Sequence, residues 1–387
     1  MDKMADVLGR AGAWCGQNKY LSAIKNAFQN FMPLTIAGAI GVLWCNVLVN
    51  DQTGLGLFFK PIMALDFLNP AFQAVNFCTI SCITVGITLG IAQEIGVWNM
   101  GAERAGYIPG LVGLAAWLSV TNTSHMVDGA KEAFTGIAGN ELGATGLFTG
   151  MIIGVLSVEL FCFFEKQDAL KIKMPEQVPP GVARAFEVLV PATITLIITA
   201  CIGSACYNLT GLYLNDVIKN GIQGPLGAVG ATIPGVMIIY LVIMLFWLVG
   251  IHGNNMLSAV KEALFTPLAL ENVEKFNKGE KPTNIINMYA LQMWGEFGGS
   301  GVTIGLVIAI MIFGKREDNK AIATLSLVPG LFNINETVTF GIPMVLNPIL
   351  GIPFVVAPLI TIIIGYVLTV IGFCPVACLT VPWTTPP

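Results

Sequence analysis

Charge and histidine are the two things this sequence has least of. Asp, Glu, Lys and Arg make up 11% of its 387 residues, and there are two histidines. A soluble domain carries about 25% charged residues, so an ordinary water-facing surface is excluded. Two histidines with no acidic cluster exclude a catalytic multi-histidine metal centre, and no cofactor is expected. The charges are scattered and sum to −4, which leaves no basic patch for a nucleic acid. Nine cysteines are present, but none in a CxxC spacing, so neither a zinc site nor a thioredoxin-type motif is indicated. Cys78, Cys82, Cys201 and Cys206 lie in apolar stretches and read as small buried hydrophobes. The N-terminus lacks a short apolar run closed by a small-residue cleavage site, so no cleaved signal peptide is expected. Alternating ten-residue strands are absent as well, which argues against a barrel.

What is present is apolar: 55% of the residues are hydrophobic. Helices that satisfy their own backbone are the default in lipid, and stretches of about 20 apolar residues read as spans. They are expected near 31–50, 71–92, 105–122, 143–165 and 185–208, with a sixth near 230–250. Shorter, interrupted apolar segments follow near 297–314, 322–332, 338–350 and 352–373. Ahead of the first span, Leu21, Ile24, Phe28 and Phe31 fall on one face of a helix that leaves Lys19 and Lys25 to water or headgroups, an interfacial amphipathic helix. A cytoplasmic N-terminus puts Lys3, Arg10, Lys19, Lys25, Arg104, Lys166, Lys171, Lys173 and Arg184 inside and Lys60, Lys131 and Lys219 outside. That bias sets the expected orientation. Gly146, Gly150 and Gly154 recur every fourth residue in the fourth span and admit a closely packed helix. The division expected is an N-terminal scaffold over 1–208, a connection over 209–229, and a region of broken helices over 230–387.

The chemistry is expected in that last region. In "GIHGNNMLSAVKEALFTPL", His252, Asn254 and Asn255 are bracketed by Gly250 and Gly253, and 256–267 reads as a half-length helix ending near Pro267. Lys261 and Glu262 read as its solvated face. In "PGLFNINETVTFGIP", Pro329 and Gly330 interrupt a helix just before Asn333, Asn335 and Glu336. Non-helical backbone survives at membrane depth only inside protein or beside a cavity. Paired broken segments point to a transporter's binding site, and an ionisable residue there is a functional candidate. Plainer readings stand beside these: His252 as a helix-end histidine, Glu336 as a structural acid, Glu296 as either a site residue or a helix-end acid. Asn, Glu and His offer donors and acceptors in several directions, while Trp247, Trp294 and Trp383 offer flat apolar faces. A sugar uses both.

The segments "IKNAFQNFMPLTIAGAIGVL", "KMPEQVPPGVARAFEVLVP", "GIHGNN", "FNINETVTFGIPMVLNPILGIPFVVAPL" and "VPWTTPP" together resemble the membrane-spanning IIC component of the sugar phosphotransferase system. The likeness is greatest to the lactose/cellobiose/diacetylchitobiose permeases, and it runs from about residue 20 to the end. It implies an all-α, polytopic protein of the bacterial cytoplasmic membrane. It also implies a homodimer whose protomers pair an N-terminal dimerisation domain with a C-terminal transport domain containing two re-entrant hairpins. The activity implied is uptake of a disaccharide by an elevator-like motion. A separate phospho-IIB protein, with IIA upstream, then phosphorylates the sugar's 6-hydroxyl. The family's glutamate in its "NEP" element corresponds to Glu336 and the histidine of its "GxHG" element to His252, both at the sugar. A carboxylate there can accept the hydroxyl proton or orient the hydroxyl for attack. Asn254, Asn335, Trp247 and Trp383 carry over by position in the same motifs; Asn333 and Glu296 are further candidates to bind substrate. Two departures are visible. Thr337 stands where the family has proline, and the family continues past "PWTTPP" into one more hydrophobic helix, so the transport domain is expected without it.

Two other classes compete for the same residues. An ion-coupled symporter would use Glu336 as proton carrier and need no IIB partner. A membrane-embedded hydrolase would use Glu336 and His252, but a glycosidase normally needs a second carboxylate.

Overall fold

The computed structural model describes residues 2–51, 54–125, 134–175, 177–342, 344, 347–379 and 385. Among them, four helices are long and apolar enough to cross a bilayer: Lys19–Leu48, Ala144–Glu165, Pro180–Thr210 and Ile349–Val370. Two bent pairs bring the number to as many as six, Lys60–Ser81 with Ile83–Met100 at 42° and Leu214–Gly230 with Ile233–Leu248 at 77°. Between and beyond them lie shorter apolar helices, Ile108–Val120 and Thr303–Phe313. The β-structure described is one antiparallel pair, Ser124 opposite Thr135 and His125 opposite Phe134.

Several helices are longer than the sequence suggests. The amphipathic segment and the first span are one helix from Lys19 to Leu43, running through Pro33. A further helix, Asp2–Gln17, precedes it. The expected stop near Pro267 is not one: the helix runs from Ser258 to Asn277 with Pro267 inside it. An internal proline removes one hydrogen bond, but the sequence "LALENVEK" after it is rich in good helix formers. The helix ends instead at Gly279, whose φ is +73°, where Glu280 N–H bonds Lys275 O at 2.8 Å. The expected segment 338–350 divides into a short helix, Glu336–Gly341, and the start of the long Pro348–Val370 helix.

The chain forms two compact units. One comprises Lys19–Gly38 and Ala74–Pro225. Its centre is Ile83–Met100, Ile108–Val120 and Ala144–Glu165, mutually packed, with Ile87, Ile91, Trp117 and Leu147 fully buried. Without a hydrophobic drive in lipid, such helices hold by close packing. The helix admitted by Gly150 and Gly154 is Ile83–Met100 of the same chain. A Cβ at Gly150 would run into Thr88 Oγ1, and one at Gly154 would sit 3.1 Å from Thr88 O. At one end of this unit the buried Glu165 carboxylate pairs with Arg104 at 2.7 Å and Arg184 at 2.9 Å.

The second unit comprises Met1–Asn18, Ala39–Gln73 and Leu226–Pro387. Two early segments thus group with the C-terminal region, which a linear division at 209–229 does not anticipate. Its core gathers Ile243, Met244, Trp247, Val307, Ala323, Val338, Ile342 and Phe354. The Asp2–Gln17 helix packs on Ile233–Leu248 in this unit.

Candidate functional site

Two helix ends in the second unit present polar side chains, and both are built the same way. The Ile233–Leu248 helix closes with Ile251 N–H bonding Phe246 O and Gly250 N–H bonding Trp247 O, each at 3.0 Å. Gly250 has φ +80°. This 6→1 and 5→2 pair is the Schellman closure, whose penultimate residue must be left-handed. The Glu317–Leu331 helix closes likewise, with Ile334 N–H on Pro329 O and Asn333 N–H on Gly330 O at 3.0 Å. Here Asn333, at φ +62°, takes the left-handed position, which asparagine tolerates best after glycine.

From the first tip the chain enters the short turn Gly253–Met256, with His252 as its cap. His252 Nδ1 accepts from Asn255 N–H at 3.3 Å. Gly253 lies so close to the backbone of Ile243 that a Cβ has no room. With Nδ1 accepting, the imidazole proton is assigned to Nε2. Nε2 lies 3.7 Å from Glu336 Oε1, too far for a direct hydrogen bond. An oxygen off that line, about 2.8 Å from each, would receive one bond and donate the other. Both side chains keep access to solvent, 37% for His252 and 46% for Glu336. Trp247 stands beside them, its ring centroid 4.3 Å from that of His252 and 6.5 Å from that of Phe340. Trp247 Nε1 and Asn254 Oδ1 are buried without a hydrogen-bond partner. Buried polar atoms are seldom left so.

The structure therefore brings His252, Glu336 and Trp247 together, and it sets Asn254 and Asn335 beside them. Asn254 Nδ2 donates to Ser300 Oγ at 2.8 Å; Asn335 Nδ2 donates to Ser300 O at 2.9 Å and to Thr339 Oγ1 at 3.1 Å. Asn333 Oδ1 accepts from Gly298 N–H at 2.7 Å, and its Nδ2 donates to Thr385 O at 3.0 Å. Glu296 pairs with Lys261 and lies 3.2 Å from the Tyr240 hydroxyl. Trp383 lies outside the described residues. Lys261 corrects the expectation of a solvated face: it is 4% exposed, because the helix face that carries it turns toward Glu296. Ser300 and Phe340 were not singled out in the sequence. The run "GGSG" at 298–301 was the available signal for Ser300, since glycines in an apolar stretch mark a close approach of backbones. No group of three or more His, Cys, Asp or Glu side chains that could hold a metal ion occurs among the described residues.

The family model described as "Phosphotransferase system, EIIC" matches residues 25–358. The oligo-beta-mannoside-specific EIIC component of Bacillus subtilis (strain 168) is 32% identical over 390 residues, covering 100% of this chain and 85% of that protein. The cellobiose-specific EIIC component of Lactococcus lactis subsp. lactis (strain IL1403) is 30% identical, covering 99% and 90%. Among solved structures, the transporter ChbC is similar, with a TM-score of 0.87 at 29% identity, over 97% of this chain and 86% of that one. It is described as the IIC component of the N,N'-diacetylchitobiose-specific phosphotransferase system.

Proposed function

The chain belongs to the EIIC family of the phosphotransferase system, and from that premise we propose that it takes up a disaccharide of the cellobiose, lactose or diacetylchitobiose type. The sugar binds at the two helix tips and crosses by an elevator-like movement of the C-terminal, transport domain, which contains two re-entrant hairpins. The partner is a second copy that meets the first through the N-terminal domain. The N-terminus faces the cytoplasm, where a phospho-IIB protein, itself charged by IIA, phosphorylates the 6-hydroxyl. Relatives named for cellobiose and oligo-beta-mannosides, and a structural neighbour named for diacetylchitobiose, support a β-linked disaccharide.

The observation that carries this reading is the approach of His252 Nε2 to within 3.7 Å of Glu336 Oε1 beside Trp247. A hydroxyl there receives a hydrogen bond from the imidazole and donates one to the carboxylate. The carboxylate orients the oxygen for in-line attack on the donor phosphorus and accepts its proton as the new P–O bond forms and the bond from phosphorus to the IIB side chain breaks, its electron pair staying with IIB. The Trp247 ring lies against the imidazole but is only 1% exposed, so it backs His252 from within the core and offers the sugar no open face. The same pair suits a proton carrier in isolation, but the likeness to EIIC components runs through nearly the whole chain.

The test is calorimetric titration of the purified protein with a panel of disaccharides and their monosaccharides, beside Glu336→Gln. Saturable binding of one β-linked disaccharide, weakened about tenfold or more in the variant, is expected for the loss of a charge-assisted hydrogen bond. Folded protein that binds none of the sugars would refute the reading.

A further inference from the structure

Between the two polar tips lies a turn that the sugar chemistry does not use directly. Residues 296–302, "EFGGSGV", join the Met288–Gly295 helix to Thr303–Phe313. Gly298, Gly299, Gly301 and Val302 have φ of +69°, +94°, +87° and +54°. Val302 is β-branched, and such a residue seldom enters the left-handed region. Strained backbone of this kind persists where the surroundings over-determine it. Here the surroundings are the tips. A Cβ on Gly299 would lie 2.6 Å from Asn335 Cβ and 3.1 Å from Asn333 O, so only glycine lets the second tip sit this close. Ser300, 5% exposed, then ties both tips to one residue. Its hydroxyl takes the Asn254 amide at 2.8 Å and its carbonyl takes the Asn335 amide at 2.9 Å. Asn254 is two residues from His252, and Asn335 immediately precedes Glu336.

The start of the turn is anchored separately. Glu296 pairs with Lys261 on the Ser258–Asn277 helix. The Tyr240 hydroxyl, on the Ile233–Leu248 helix, lies 3.2 Å from the same carboxylate oxygen and 3.1 Å from Leu291 O. Removing one partner of a buried pair leaves an uncompensated charge. The turn therefore has a charged clamp at its first residue and a hydrogen-bonded bridge at its fifth.

We propose that Ser300 and Lys261 are positioning residues of the sugar site: the clamp fixes the turn, and the turn fixes the separation of His252 from Glu336. Neither side chain touches the reacting hydroxyl. The proposal rests on the disaccharide reading above and adds to it where the site's precision comes from. Separation matters because a shift of about 1 Å in a reacting geometry can cost about a hundredfold in rate.

A double-variant cycle tests it. Ser300→Ala, Lys261→Met and the pair are titrated with the disaccharide that the wild type binds, well below each variant's measured melting temperature. Each single variant is expected to weaken binding about tenfold while still folding. The pair is expected to be no more than about threefold worse than the weaker single, because the two act through one turn. Lys261→Arg, which keeps the charge, is expected to bind within about threefold of wild type. A merely structural role would lower the melting temperature and leave affinity unchanged; that result overturns the proposal. So do single losses that multiply in the pair. If Lys261→Met does not fold, Glu296→Gln replaces it in the same cycle with the same criteria. A wild type that binds no disaccharide is a different failure: it removes the transport reading and this proposal with it.

Discussion

His252 has two jobs on its two nitrogens, and they can be separated. Nδ1 caps the Gly253–Met256 turn by accepting from Asn255 N–H at 3.3 Å, and Nε2 faces Glu336 at 3.7 Å. Asparagine is a preferred cap and supplies an acceptor at nearly the same place, but it is too short to reach Glu336. His252→Asn is therefore expected to melt within about 0.5 kcal/mol of wild type while losing about tenfold in sugar affinity. His252→Ala loses the cap as well, about 1 kcal/mol, and falls in both measurements. Melting followed in detergent, beside calorimetry, separates the two roles. If His252→Asn bound sugar as the wild type does, Nε2 would have no part in recognition. The other candidates divide along the same line. Asn335 is 3% exposed and Asn333 has both ends of its amide bonded, so their polarity is turned inward, toward the turn. The sequence names these residues because they are polar in an apolar stretch, but type alone does not say which way an amide points.

The helix ends repeat one device. Schellman closures finish the Ile233–Leu248, Ser258–Asn277, Glu317–Leu331 and Pro348–Val370 helices, with Gly250, Gly279, Asn333 and Gly372 at positive φ. Each satisfies carbonyls that lipid cannot. Gly250→Ala is expected to cost about 1–2 kcal/mol, the left-handed penalty of an ordinary residue, whereas Gly250→Asn should cost clearly less, as Asn333 illustrates. Unfolding monitored by melting ranks the two; equal losses would show that φ is not what glycine supplies there. These closures also explain what was legible in the sequence. Gly250 and Gly330–Asn333 were readable as breaks because glycine and a polar cluster interrupt an apolar run. The long spans Ala144–Glu165 and Pro180–Thr210 were readable to within a few residues because no polar cluster interrupts their apolar runs, although Pro191 lies inside the second. The continuation through Pro267 was not, because a proline reads as a stop while the true stop, Gly279, lies in a polar stretch. The turn 296–302 was hidden for the opposite reason: its glycines sit in an apolar context that reads as span, and its purpose depends on Asn333 and Asn335, more than thirty residues away in sequence.

On the scale of the whole molecule, the interleaving of the chain between two compact units is the feature least available to a linear reading, since neighbours in sequence such as Gly38 and Ala39 fall in different units. What distinguishes the competing mechanisms is also a property of the whole protein and its surroundings. Group translocation makes the phosphoryl donor the source of free energy, so the protein alone only equilibrates its sugar across a membrane. In proteoliposomes enclosing phospho-IIB, labelled disaccharide is expected to accumulate inside as a phosphate ester, in an amount set by the phosphorylated donor. Without IIB, internal free sugar should rise to the external level and stop. Under the proposed mechanism an imposed proton gradient should not change that level, because Glu336 would take its proton from the sugar hydroxyl during transfer and would have no cycle of its own coupled to the gradient. Glu336→Gln should abolish ester formation in the first arm and bind sugar weakly in the second. Accumulation of unmodified sugar above the external level, driven by the gradient in the absence of IIB, would reverse the assignment: Glu336 would then be carrying protons across the membrane, and the pair it forms with His252 would be a release switch in place of a phosphorylation site.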